Sequence, residues 1–416
     1  MRLARYAAPW LLPIEGPPVA EGAVLVDARG RIAAAGPAAL VPTPPDASVE
    51  RLDDAVLLPG LINTHTHLEL TGLEAGVEAA DFAGWIGDLI VRKARRPAAE
   101  VRAAARRGIQ EGWATGVTTV ADTGDSGAVI AALAALGGSG IAYHEVFGPH
   151  PAQVEDAFRG WVARLEDLGR FAGGRVTLGG SPHAPYSVSG PLYARVARHA
   201  EEERLPLAVH LAESREESAL LAGRGGAFAE RWKQRDIPLP VGPGFTPVEW
   251  LDRHAVLGPR TLCIHVVQAS DSDLDTLARR GAAVAHCPRS NRRHGHGPAP
   301  LAAMRQRGIR VGVGTDSVAS VSPLDLFAEA RAAGDIAGLS AGEMLALVTL
   351  DAARALGLAD EVGSLVPGKW ADLIALDLPP EIDAAQLPDT VLTRPRTACR
   401  LTLLGGREVY RRGVAF

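Results

Sequence analysis

Residues Leu58–Leu70 read LPGLINTHTHLEL. An apolar run ends in two histidines, His65 and His67, with one residue between them, and Glu69 follows two positions later. In a strand, residues i and i+2 point to the same side. Both imidazoles would therefore project together from the end of the run and could bind one cation. Imidazole nitrogen suits zinc, iron and related divalent metals. A His-x-His pair alone is weak evidence of a site, so the rest of the chain has to decide.

Downstream, short apolar runs alternate with Ala/Leu/Arg/Glu-rich helical patterns. The first run, Val56–His65, is followed by strand-like runs at Gly116–Asp122, Gly140–Val146 and Val176–Ser181. Four more lie at Leu207–His210, Leu262–Val266, Ala283–His286 and Val311–Thr315. Runs such as EVRAAARRGIQEGWATG, GPLYARVARHAEEER and SDLDTLARRG supply intervening helices. Such alternation favours a parallel sheet with right-handed crossovers, and eight units favour a closed (β/α)8 TIM barrel. A doubly wound sheet is the alternative, but it gives no reason for the polar residues at the strand ends. His65, His67, His183, His210, His265, His286 and Asp316 all sit at or just past the C-terminal end of a run. In a barrel these ends meet at one mouth, where active sites lie. A lone histidine at a strand end is usually structural, and seven residues on one rim are hard to explain that way.

The chain's two ends differ from its middle. Gly22–Gly36 reads as two apolar runs around an Arg-Gly turn, and WADLIALDL and ACRLTLLGGREVYRRGVAF read as short strands with a Gly-Gly turn. The expected organisation is a composite, β-sandwich-like domain from residues 1–57 and 363–416 around a catalytic barrel at 58–362. Residues 223–250, rich in Pro, Gly and aromatics, are longer than one helix needs and read as a rim insertion near the mouth, with a surface elaboration as the equal alternative.

Composition narrows the function. With 416 residues and 47% apolar content, a large barrel core can form. The net charge of −5 is interspersed, and no basic run suggests a nucleic acid or membrane partner, so a small molecule is the default. Three cysteines without CxxC spacing fit a reducing cytoplasm rather than a disulfide framework. The N-terminal MRLARYAAPWLLPIEG has a short, Pro-broken apolar stretch and no clear cleavage site, so a signal peptide is not expected. No apolar run is long enough to span a bilayer.

With His210 and Asp316 added to His65 and His67, the set offers three nitrogens, one oxygen and room for water, which describes an open catalytic site rather than a closed structural one. In order along the chain, PGLINTHTH, HLAES, CIHVVQ, HCPRSN and GTDSVAS resemble the metal-dependent amidohydrolase superfamily. The likeness is to its branch of cytosine-, guanine- and adenosine-type deaminases and triazine chlorohydrolases. It spans nearly the whole chain, since VGSLVPGKWADLIALD looks like the return into the family's small β-domain.

The resemblance implies His65, His67, His210 and Asp316 as metal ligands. Members with two metals commonly use a carboxylated lysine after the fourth strand. Here that region reads LGGSPHAPYS, and none of the three lysines (Lys93, Lys233, Lys369) lies on an expected strand. One divalent ion is therefore expected, zinc by default, with iron or manganese also compatible. Asp316 would accept a proton from the attacking water, and His265 would hydrogen-bond that water from the opposite side. Glu213 would donate a proton to a ring nitrogen and shuttle one to the departing amine. Some triazine chlorohydrolases replace this glutamate, so its presence favours deamination. His183 and His286 are expected to bind the substrate.

HTHLEL followed by DFAGWIGDLI resembles a sub-branch that includes aminodeoxyfutalosine deaminases. There Glu69 would accept hydrogen bonds from sugar hydroxyls, while Trp85 could cover the pocket or pack between helices, with packing the favoured reading. The family often has Leu-Gly-x-Gly after the asparagine, where this chain has RRHGHG. His294 and His296 read as members of a solvated loop.

The expected function is deamination of an exocyclic amine on a nitrogen heterocycle, with an adenine-type nucleoside such as aminodeoxyfutalosine, S-adenosylhomocysteine or adenosine favoured. A hydrolase of a cyclic amide or ring C–Cl bond is the alternative, and a non-catalytic scaffold is a third reading that the intact ligand set argues against. Family resemblance also implies a homodimer.

Overall fold

The computed structural model describes residues 3–74, 81–240 and 244–414. Five strands come first: β1 (Ala4–Leu11), β2 (Val19–Val26), β3 (Ile32–Pro37), β4 (Ser48–Arg51) and β5 (Ala55–Pro59). The next eight are β6 (Leu61–Thr66), β7 (Val117–Gly124), β8 (Gly140–Val146), β9 (Val176–Pro182), β10 (Leu207–Leu211), β11 (Thr261–His265), β12 (Ala283–His286) and β13 (Val311–Val313). The last three are β14 (Leu373–Asp377), β15 (Cys399–Leu404) and β16 (Arg407–Arg411).

Strands β6 to β13 lie side by side in chain order, each parallel to the next. The two edges of this sheet meet. The His65 carbonyl accepts from both Thr315 N and Asp316 N at 3.0 Å, and Thr66 bridges Asp316. Asn63 reinforces the seam, donating to Thr315 Oγ1 at 2.8 Å and accepting from Thr315 N at 3.1 Å. Gly314 makes this approach possible, because a Cβ there would stand 2.5 Å from His65 N. The expected (β/α)8 barrel is the observed one.

The expected first strand is in fact two. Val56–Pro59 belongs to β5, which pairs with β1 and β14 in a second sheet, and only Leu61 onward enters the barrel. The switch is at Gly60, whose N–H goes to Asp372 O while Leu61 N goes to Gly116 O. A Cβ at Gly60 would fall 2.3 Å from the Thr118 side chain. An apolar run that continues across both strands hides this change of sheet, and the expected boundary between residues 57 and 58 falls inside β5.

The second sheet is mixed and has eight strands, in the order β16-β15-β14-β5-β1-β2-β3, with β4 pairing with β1. It draws on both ends of the chain. Strand alternation gives it two apolar faces. Leu57, Leu373 and Leu401 pack in one cluster with Leu11 and Ile32. Val56, Leu58, Ile374 and Leu376 pack instead with Ile109 and Trp113 of the barrel helix Ala98–Ala114. A bidentate ion pair adds a polar clamp. Arg175, just before β9, donates to both oxygens of Asp372, with Nη1 to Oδ1 at 2.7 Å, and Asp372 also accepts from Gly405 N at 2.7 Å. No helix among the described residues is long and apolar enough to cross a membrane.

The clamp is testable. Asp372 is 2% exposed in its side chain, so removing it strands a largely buried guanidinium. Breaking such a pair from one side costs about 3 kcal/mol or more. Asp372→Ala should lower the thermal unfolding midpoint by several degrees, with a smaller loss for Asp372→Asn. An unchanged midpoint for the alanine variant would show that the sheet docks on its apolar face alone.

Candidate metal centre and active site

Three strand ends, those of β6, β10 and β13, build the floor of the barrel mouth. His65 ends β6 fully buried, and His67 follows in the turn, their ring centroids 4.8 Å apart. His210 on β10 brings its ring to 5.0 Å from His65 and 5.5 Å from His67. Asp316 follows β13, with Oδ1 3.7 Å from His65 Nε2 and 3.6 Å from His67 Nε2. Two ligand atoms held at about 2.1 Å around one tetrahedral ion stand roughly 3.4 Å apart, so the Asp316 spacings fit a shared cation. Ligand atoms of His65, His67 and Asp316 lie within 4.8 Å of one another, and so do those of His65, His210 and His265.

The chemistry of the donors fits a cation too. Both ring nitrogens of His65 are buried without a hydrogen-bond partner. An unpaired buried polar atom is costly, and a metal would satisfy Nε2. Burial lowers the pKa of His67 to about 3, and burial with the neighbouring imidazoles holds His210 well below the usual histidine value. Both rings are therefore neutral, the form that ligates metal. Burial works against the Asp316 carboxylate, but its histidine neighbours, His65 first and then His67 and His265, outweigh it and keep the pKa well below normal. Ser290 Oγ donates to its Oδ2 at 2.6 Å, and Ser317 N donates to Oδ1 at 2.7 Å. Partners also orient the rings. Thr123 Oγ1 lies 3.2 Å from His67 Nδ1, and the His183 carbonyl 3.2 Å from His210 Nδ1.

The residues that turn these strand ends are strained. Ala212, His265, Val266 and Asp316 have φ of 49°, 74°, 50° and 58°, a left-handed backbone that costs a non-glycine residue about 1–3 kcal/mol. Such strain collects where function needs an unusual side-chain direction.

Glu213 lies just past β10 and is 3% exposed. Its Oε1 is 3.4 Å from His265 Nε2. Asn291 Oδ1 accepts from His265 Nδ1 at 2.9 Å, leaving Nε2 to face the carboxyl. Burial, with Asp316 and Glu216 nearby, pushes the Glu213 pKa well above the usual carboxylate range, opposed by a hydrogen bond from Tyr186. The loop is braced by Glu217, a residue the sequence reading passed over. Its buried carboxylate accepts from Ala212 N at 2.8 Å and Glu213 N at 2.9 Å.

The site opens into a cavity of about 740 Å³, within the range of small-molecule sites. His67, His210, His265, Asp316 and Glu213 line its inner end. His183 lies on its wall, with Nδ1 2.7 Å from Ser187 Oγ and Nε2 4.0 Å from Glu145 Oε1. Phe82, Trp85, Ile86 and Leu89 of the helix Phe82–Ala94 line it as well. Of residues 223–250, of which 241–243 lie outside the described residues, none lines the cavity, but two pack behind its wall residue Tyr186. Phe228 stacks on Tyr186 at 4.3 Å, and Trp232 Nε1 donates to Tyr186 O at 2.9 Å.

Three expectations need correction. His286 is fully buried and absent from the cavity wall. Along β12, Ala283 and Ala285 pack with Ala208 and Ile264, whereas Val284 packs in the cluster shared with the helices. Alternation therefore turns His286 with Val284, away from the mouth. Glu69 is 2% exposed and absent from the wall of this cavity, its carboxylate held by Lys93 Nζ and Ser126. Lys93, which also pairs with Asp125 at 2.7 Å, stands on the wall in its place, as does Glu145. Burial lifts the Glu145 pKa to about 8. A lysine on a helix and a glutamate inside an apolar strand carried no signal that set them apart. Finally, His294 and His296 are not in a solvated loop. His294 packs on Trp85, ring centroids 4.4 Å apart, and His296 is 5% exposed, with Nε2 3.6 Å from Glu213 Oε1.

Comparison with known proteins agrees with this architecture. A model of the amidohydrolase family matches residues 56–409. The chain is 34% identical over 418 aligned positions to the 5-methylthioadenosine/S-adenosylhomocysteine deaminase of Nitratidesulfovibrio vulgaris (strain Miyazaki F), covering 95% of this chain and 89% of that protein. Among solved structures, an adenosine deaminase from Xanthomonas campestris with bound zinc superposes with a TM-score of 0.83 at 26% identity, over 97% of this chain and 92% of that one. The Helicobacter pylori aminofutalosine deaminase in complex with methylthio-coformycin shares the fold, with a TM-score of 0.84 at 22% identity over 98% of this chain and 100% of that one. By its strand-end histidines, its barrel and a family match that runs through both sheets, this chain belongs to the amidohydrolase family.

Proposed function

We propose that this amidohydrolase, a hydrolase of C–N bonds, deaminates the exocyclic amine of an adenine-type nucleoside, releasing ammonia and the oxo product. One observation carries the reading. A buried glutamate with a raised pKa, Glu213, stands beside a four-residue ligand cluster at the inner end of a cavity large enough for a nucleoside. Support for the substrate class comes from the relatives, which are 5-methylthioadenosine/S-adenosylhomocysteine deaminases.

In this reading His65, His67, His210 and Asp316 hold one divalent cation. Three imidazoles and a carboxylate suit zinc first, and iron or manganese could fill the same set. The cation supplies Lewis acidity that makes a water a competent nucleophile near neutral pH. Asp316 is the anionic member of the set and takes the proton that this water gives up. His265, oriented by Asn291, hydrogen-bonds the attacking oxygen through Nε2. Glu213 enters protonated and gives its proton to the ring nitrogen beside the attacked carbon, which makes that carbon electrophilic. The carboxylate left behind takes the hydroxyl proton of the tetrahedral adduct and passes it to the amine, which leaves as ammonia as the C=O bond forms, and the proton held by Asp316 returns to Glu213 to restore the enzyme. The aromatic wall of Phe82, Trp85 and Tyr186 covers the base, and His183, Glu145 and Lys93 offer polar contacts to the sugar.

A substrate panel tests the reaction. Ammonia release with 5-methylthioadenosine, S-adenosylhomocysteine, adenosine and aminodeoxyfutalosine should reveal turnover of at least one. Turnover of a cyclic amide or a chlorotriazine, with every amine substrate inert, would overturn the proposal.

The roles separate by mutation. Glu213→Gln should keep about one metal per chain by elemental analysis and lose turnover by about 10²–10⁴-fold, the usual range for acid–base help. His65→Ala should lose metal and turnover together. A fully active Glu213→Gln enzyme would remove the proton shuttle from the mechanism.

A further inference from the structure

The RRHGHG segment departs from the Leu-Gly-x-Gly pattern of the resembled family, and the departure lands on the catalytic carboxyl. We infer that His296 is a positioning residue that holds Glu213 in its proton-transferring pose, an inference that rests on the role given to Glu213 above.

Glu213 Oε1 lies between two imidazoles, with His265 Nε2 at 3.4 Å and His296 Nε2 at 3.6 Å. His296 Nε2 is buried and has no hydrogen-bond partner elsewhere. A small rotation of either side chain brings it within hydrogen-bonding distance of the carboxyl. The ring has little freedom to point anywhere else. The His296 N–H donates to Asn291 O at 2.9 Å, and Gln268 Nε2 donates to the His296 carbonyl at 2.6 Å. The Phe82 ring meets the imidazole edge-on, with centroids 4.5 Å apart.

Asn291 therefore holds both residues that flank Glu213, the His265 ring through its side-chain oxygen and the His296 backbone through its carbonyl. Two rings on one carboxyl oxygen limit its rotation about the side chain. His296 is thus one of the two rings that restrain this carboxyl. The contact with Phe82 ties the arrangement to the helix Phe82–Ala94 on the cavity wall.

The competing reading is that His296 only fills space beneath Phe82, and the test separates the two. His296→Phe keeps an aromatic ring without a nitrogen, and His296→Gln restores an amide nitrogen at similar reach. Expected for His296→Phe is a fall in kcat of about 10–100-fold, the usual cost of losing an orienting partner, with KM within about twofold. His296→Gln should recover most of the loss. In a Glu213→Gln background, His296→Phe should add little, because the two act as one unit. Should His296→Phe not fold, His296→Asn, too short to reach Glu213, takes its place.

A crystal structure of the metal-loaded variant gives a readout that needs no substrate. The Glu213 carboxyl should leave the His265 ring in the variant and stay in the wild type. Wild-type kcat in a folded variant, or an unmoved Glu213, would overturn the positioning role. Inert nucleosides with a displaced Glu213 would instead fault the assigned reaction and leave His296 in its role.

Discussion

The seam between β6 and β13 is the constraint on which the rest depends. Two backbone amides, from Thr315 and Asp316, converge on the carbonyl of His65. That contact closes the barrel, and the same residues carry two members of the proposed ligand set. The approach requires Gly314, and it sets Asp316 3.6–3.7 Å from two imidazoles. Barrel closure and metal geometry are therefore one structural fact. A barrel that failed to close would lose the site, and a cation at the site would in turn bind the two edges together. Metal binding and folding are coupled wherever a site bridges elements that are apart in the unfolded chain.

Within that frame, one environment drives neighbouring carboxyls in opposite directions. Asp316 and Glu213 are both buried. Asp316 receives a serine hydroxyl and a backbone N–H and faces His65 and His67, so it stays anionic. Glu213 faces rings that burial keeps neutral and feels Asp316 as a like charge, so it keeps its proton. Pairs of titratable groups pushed apart in this way mark the base and the acid of a reaction. A base that takes a proton from water and an acid that gives one to a ring nitrogen are the two parts deamination needs.

Much of this was readable in the sequence because strand ends are periodic. His65, His67, His210, His265 and Asp316 each close a short apolar run, and chain order alone brings the runs around a barrel. Where reading failed, periodicity was the wrong guide. His286 also ends a run, but the alternation of β12 turns it outward, and a four-residue strand is too short to show its parity without its neighbours. Val56–His65 looked like one strand because burial on both sides of Gly60 makes both halves apolar. Glu69 looked free because its partners, Lys93 on a helix and Ser126 in a loop, are far away in sequence. His294 and His296 sit among arginines and glycines, a composition that describes an exposed loop equally well.

The failures share a cause, and it bears on specificity. Every misjudged contact except those of His286 and Gly60 comes from a helix or loop around the mouth. The strands supply the chemistry, and their positions follow from the barrel. One wall comes from the helix Phe82–Ala94 and Tyr186, and behind it stand the segment around Phe228 and Trp232 and the loop that carries His294 and His296. These pieces pack on one another, with Phe82 against Tyr186, Phe228 and His296. A change in one must be accommodated by the others, so the wall varies as a unit. The histidines of RRHGHG belong to that unit, and through His296 it reaches Glu213. In this chain the aromatic wall of the cavity thus touches, through Phe82 and His296, the group proposed to transfer the proton. Filling the cavity against Phe82 would press on the same ring that flanks the acid, so binding and proton transfer share a physical link.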